Sequence, residues 1–75
     1  MNNRVREIMA NIFEISVNDI NDDASSQNIT NWDSLNHMNL IVALEEEFDI
    51  RFDDDEIIEL TSLKQLNERL SSNRN

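Results

Sequence analysis

The chain has 75 residues, with six basic against sixteen acidic side chains, a formal net charge of −10, and no Gly, Pro or Cys. One small core is all that this length supports, so a buried multi-residue active site is disfavoured, and binding or carrying is favoured over catalysis. Without Cys there is no disulfide, thiolate nucleophile or Cys-based metal site, and any thiol chemistry has to be imported.

The acids are unevenly spread: all but Glu7, Glu14 and Glu68 lie from Asp19 to Glu59, where Arg51 is the only Lys or Arg. Such a field repels nucleic acid and anionic lipid, and it speeds association with basic patches on partner proteins. No apolar run approaches a membrane span, and the N-terminal stretch, with Arg4 and Arg6 in an amphipathic pattern, lacks the apolar segment of a secretion signal. A monomeric, cytoplasmic, single-domain protein over residues 1–75 is expected, with no nucleic-acid or membrane partner.

With Gly and Pro absent, turns fall to Asn, Asp and Ser, and helices should dominate. Residues 4–14 place Val5, Ile8, Met9, Ile12 and Phe13 on one stripe at helical spacing, which predicts a first helix. From Ser16 to Asn31 the pattern breaks into a long polar loop, pinned to the core by Val17, Ile20 and Ile29; loops of this length in a compact domain are usually functional or disordered. Residues 34–48 predict a second helix with two apolar arcs. Leu40, Ile41, Leu44 and Phe48 share one arc with His37 in its middle, and Leu35, Met38 and Val42 form the other. One arc serves the core; the second, with Glu45 between the arcs and Glu46 at its flank, reads as a docking surface.

Ile50 and Phe52 then sit in an extended link, with Arg51 pointing away from them. Asp53 caps a short third helix over 54–60, with Ile57, Ile58 and Leu60 on its buried side and Asp54, Asp55 and Glu56 at its positive end. Thr61 or Ser62 starts a fourth helix, with Leu63, Leu66 and Leu70 inward and Lys64 and Arg69 outward; 71–75 lack an apolar anchor and should fray. The fold class is therefore all-α, a small four-helix bundle with a long loop between the first two helices and a short third helix.

The loop delivers the chain to Trp32-Asp33-Ser34-Leu35 at the start of the second helix. Asp33 is a natural N-cap, and the free N–H groups and positive dipole of a helix start favour an anion, so a phosphate ester on Ser34 would be well placed. From local chemistry alone, simple capping is the plainer account. Calcium coordination by Asp53-Asp54-Asp55-Glu56, or by Asp19, Asp22 and Asp23, lacks the alternating spacing and the turn Gly that a calcium loop needs, which leaves weak divalent-ion association. His37, the only histidine, is turned toward the core arc, and Asp33-Ser34-Leu35 has no glycine-flanked elbow, so hydrolase chemistry is disfavoured.

The stretch WDSLNHMNLIVALEEEFDIRF resembles the serine-led helix of acyl carrier proteins and peptidyl carrier domains, and the likeness in element order, size and acidity extends over nearly the whole chain. The resemblance implies that Ser34 receives 4′-phosphopantetheine from coenzyme A in a Mg²⁺-dependent reaction run by a phosphopantetheinyl transferase, and that cargo rides as a thioester. It also implies that Asp33, Leu35, Met38, Val42, Glu45 and Glu46 are read by that transferase and by loading and transferring enzymes with basic docking patches. No metal and no catalytic residue are implied. The resemblance also implies a small core that can open to shelter an acyl chain, as carriers of fatty acyl groups do. Asn36 and Asn39 stand where fatty-acid-synthesis carriers usually have acids, His37 where they have a small polar residue, and Trp32 where they have a small one. The pattern is closer to a dedicated carrier of a specialised acyl or aminoacyl group. The alternative from a different class is an unmodified acidic binding module or nucleic-acid mimic, indifferent to Ser34.

Overall fold

A computed structural model describes residues 3–72. Four helices appear in chain order: α1 (Asn3–Phe13), α2 (Ser34–Phe48), α3 (Asp54–Glu59) and α4 (Leu63–Ser72). Among the described residues there is no strand, only an isolated antiparallel bridge between Ser25 and Ser62. The expected all-α bundle is the observed one. α1 packs on α2 and α4, and Val5, Met9, Phe13, Leu40, Leu44, Leu63 and Leu66 form the fully buried centre.

The helix ends follow from a chain without glycine. α1 stops at Phe13 because Glu14 turns left-handed (φ 60°), one residue short of the expected end; Ile15 N–H donates to the Ala10 carbonyl at 3.1 Å. α2 ends in the same way, with Asp49 at φ 55° and Ile50 N–H donating to the Glu45 carbonyl at 3.1 Å. In both, the next residue is an isoleucine laid partly into the core, which is the apolar contact that accompanies this type of helix end. A non-glycine residue pays a steric cost in that conformation. Glu14→Gly is therefore expected to stabilise the fold by about 0.5–1 kcal/mol, measured as a higher melting temperature and denaturation midpoint.

The loop between α1 and α2 is ordered by its own polar groups. A 3-10 turn at Val17–Asp19 is capped by Ser16, and the Arg6 guanidinium bonds the Ile20 carbonyl and the Asp22 carboxylate. Asn31 Nδ2 covers the Phe13 carbonyl at 2.7 Å. Farther along, Ser26 N–H donates to Thr61 O at 3.0 Å and Leu63 N–H to Ala24 O at 2.9 Å, which ties the loop to the α3–α4 connection. Ile20 and Ile29 are buried as expected, and Ala24 joins them, but Val17 is 41% exposed: the 3-10 turn that places Ile20 inward leaves Val17 on its outer side.

α3 is capped by Asp53, whose carboxylate accepts from Glu56 N–H while Glu56 Oε1 accepts from Asp53 N–H. It covers six residues, with Leu60 outside it as the C-cap, so the expected 54–60 span shortens by one. Ile57 is half-buried and Leu60 buried, but Ile58 is 72% exposed, correcting its expected inward position. Arg69, expected outward on α4, turns in: it pairs with Glu56, reaches the Arg51 carbonyl at 3.1 Å and lies 5.2 Å over the Phe52 ring. Those three partners fix α3 and its preceding link to α4. Ser62 is the N-cap of α4, accepting from Gln65 N–H at 3.2 Å. α4 runs through Ser71 and Ser72, two residues expected to fray; the rest of that expectation, 73–75, lies outside the described residues.

The Arg69 guanidinium, aided by the Asp53 backbone N–H, holds the Glu56 carboxyl below the usual carboxylate range. A carboxyl depressed in the folded state adds stability above its ordinary pKa and loses it as pH falls through the lower, folded value. Glu56→Gln keeps the cap oxygen but removes the charge, so it is expected to lower the melting temperature by a few degrees at neutral pH. Melting curves across an acid titration should show native and variant converging as Glu56 becomes protonated.

Candidate functional site

The site is built by one capping residue and one loop. Asp33 is extended (φ −103°, ψ −175°), its carboxylate accepts from Asn36 N–H at 2.9 Å, and its carbonyl accepts from His37 N–H at 2.8 Å. Ser34 is thereby fixed as the first helical residue of α2, and it is exposed. The N–H groups of Ser34 and Leu35 precede any intrahelical acceptor and carry the positive end of the helix dipole. Upstream, Asn31 O accepts both from Asp33 N–H and from Asn36 Nδ2, each at 2.9 Å. A carboxylate at position 36 has no proton to donate there; the amide therefore gives this position a structural task in addition to its missing charge.

Behind the serine lies an open cleft of about 440 Å³ lined by Ser26, Trp32, Asp33, Ser34, His37 and Thr61. Trp32 is 5% exposed and stacks on Phe13 with ring centroids 4.9 Å apart. Its indole N–H donates to His37 Nδ1 at 3.0 Å, and His37 Nε2 lies 2.6 Å from the Ile57 carbonyl. The indole can only donate, so Nδ1 is the acceptor, and Nε2 carries the proton and donates to Ile57 O. That carbonyl belongs to the last turn of α3, where helical carbonyls lack intrahelical donors, so a side chain of α2 caps α3. Both ring nitrogens of His37 are thus engaged, and neither is available as a base toward the Ser34 hydroxyl.

The remaining predicted residues lie along α2. Leu35 is 72% exposed, Met38 45% and Val42 48%, the apolar arc left over from the core. Glu46 is exposed; Glu45 is half-buried, and its carboxylate accepts from Phe52 N–H at 3.0 Å, so it also holds the link to α3. Glu47, one residue on, is paired with Arg4 at 3.0 Å, and that contact lowers its carboxyl pKa. Sequence reasoning placed His37 at the core edge but missed its two hydrogen bonds and the burial of Trp32. The available signal was an indole and an imidazole five residues apart across a helix start. Among the described residues no group of three or more His, Asp or Glu side chains is arranged to hold a metal ion, and no helix is long and apolar enough to cross a membrane.

Residues 3–70 match the family described as the phosphopantetheine attachment site. Over 69 residues the sequence is 32% identical to polyketide-8 synthase acyl carrier protein 2 of Streptomyces avermitilis, an alignment that covers 92% of this chain and 79% of that protein. The chain belongs to the phosphopantetheine-binding carrier family. It is a carrier and not a catalyst, its cofactor is covalent 4′-phosphopantetheine, and such carriers are served by a phosphopantetheinyl transferase and by biosynthetic enzymes. The residues fit the group: an exposed hydroxyl, a helix start that favours a phosphodiester, and an open cleft beside it. When attached, the group supplies the terminal thiol that this chain lacks.

Proposed function

We propose that Ser34 is the attachment residue and that the chain shuttles an acyl or aminoacyl thioester between the enzymes of a specialised pathway. The observation that carries this is the exposed Ser34 hydroxyl at the first position of α2, in a chain of a family defined by phosphopantetheine attachment. Three other serines are differently employed: the hydroxyl oxygens of Ser16, Ser25 and Ser62 accept backbone N–H bonds in turns or caps. The polyketide synthase association of the Streptomyces relative favours acyl cargo and a specialised pathway over housekeeping fatty-acid synthesis. On this proposal the protein acts as a cytoplasmic monomer.

Asp33 and Leu35 flank the serine and are the contacts read by the transferase. Met38, Val42, Glu45 and Glu46 continue that surface, an apolar stripe beside acids that suits a basic, partly apolar docking patch. The first test is intact mass after incubation with coenzyme A, Mg²⁺ and a broad-specificity transferase. The proposal requires a gain of one phosphopantetheine; an unchanged mass in a folded chain with an active transferase would favour the unmodified acidic module.

Met38→Glu and Val42→Asp test the docking stripe. Both side chains are about half exposed, so helicity and melting temperature should barely change, while the loading rate should fall by about tenfold, as loss of one interface anchor does. Melting temperature falling in step with loading would instead make this stripe part of the core.

A further inference from the structure

The layer beneath Ser34 is closed by hydrogen bonds as well as by packing. Trp32 and His37 line the cleft that Ser34 opens onto, and the fully buried Phe13 lies directly behind Trp32. Trp32 is anchored on both sides, by its stack on Phe13 and by its N–H bond to His37; His37 is anchored in turn to the Ile57 carbonyl of α3. A group passing from the cleft between Trp32, His37 and Ile57 toward the core parts this chain. Doing so leaves an indole N–H and a helix-end carbonyl without partners, beside an apolar core that offers none. α3 is itself held by such tethers, the His37 bond at one side and the Glu56–Arg69 pair at the other. The remaining lining residues are Ser26, Asp33, Ser34 and Thr61, side chains that carry a hydroxyl or a carboxylate.

We infer that the hydrogen-bonded chain Trp32–His37–Ile57 closes the bundle beneath the attachment serine, so that acyl cargo on Ser34 lies in the outer cleft and not among the core side chains. This rests on Ser34 being the attachment residue. His37 and Trp32 are then specificity-determining residues: they keep the thioester open to partners and to water, and they withhold from a long alkyl chain the apolar burial that would favour it over a short or polar acyl group. The arrangement suits short or polar cargo.

The test loads the native chain with acetyl- or octanoyl-phosphopantetheine from the corresponding coenzyme A thioesters, confirms the adduct by mass with Ser34→Ala alongside, and follows cleavage of each thioester by hydroxylamine. Each rate is normalised to the same thioester of free pantetheine. In the native chain the two normalised rates should agree within about twofold, since neither thioester is withdrawn from solvent. In His37→Ala the octanoyl thioester should be cleaved about tenfold more slowly than the acetyl one, because the opened seam admits the alkyl chain. Trp32→Phe removes the N–H donor but keeps a ring against Phe13, and gives the same comparison should His37→Ala fail to fold. Octanoyl protection already present in the native chain overturns the inference while leaving Ser34 attachment intact. Equal rates in both variants overturn it too, since some other feature would then close the bundle. A native chain that takes no adduct, or a Ser34→Ala chain that takes one, overturns the attachment reading and this inference with it.

Discussion

Ser34→Ala is expected to abolish uptake of phosphopantetheine and leave the fold intact. The hydroxyl is exposed at the first position of α2, while the capping bond of that helix end is made by the neighbouring Asp33 carboxylate to Asn36 N–H. Alanine is a better helix former than serine by about 0.5 kcal/mol, so the variant should melt no lower than the native chain. Loss of loading at constant stability separates a chemical role for the hydroxyl from a capping role. A capping role would cost about 1 kcal/mol, and would appear as a lowered melting temperature with loading retained on another serine.

Trp32→Ala should have the largest effect on stability. It removes the stack on Phe13, leaves a cavity in a core only a few side chains deep, and deprives His37 Nδ1 of its donor. Truncation of a buried aromatic side chain typically costs about 3–5 kcal/mol. A domain of this size has little more than that to lose, so thermal or denaturant unfolding should find the variant largely unfolded at 25 °C. Trp32→Phe retains the ring packing and should remain folded. If Trp32→Ala melted with native cooperativity and within a few degrees of the native chain, Trp32 would be dispensable for closing this end of the bundle.

The helices and the two faces of α2 were legible in the sequence because both are written in local periodicity. Leu40, Ile41 and Leu44 against Leu35, Met38 and Val42 is a separation that 100° per residue produces by itself, and Asp33 and Asp53 are capping residues by type. α3 was less legible: a helix of six residues has fewer than two turns, so periodicity could not decide between Ile57 and Ile58, of which Ile58 turns outward. Arg69 reads as a surface residue on hydrophobicity alone, yet its aliphatic stem and planar head suit the Phe52 ring and the Glu56 carboxylate together. The Trp32–His37–Ile57 chain joins three segments through side-chain and main-chain polar groups, a kind of contact that leaves no periodic trace.

Glu45 carries a structural task beside the docking role proposed for it. Its position between the arcs marks it for docking, and its carboxylate also accepts the Phe52 N–H that sets the start of the α3 link. A substitution there perturbs the fold as well as the surface, which is why Met38 and Val42 are the cleaner probes of partner contact.

The most direct measurement of the central claim is fragment-mass mapping of the native chain after transfer from coenzyme A. The expected result is a single phosphopantetheine adduct borne by Ser34. An adduct on any other residue would contradict it.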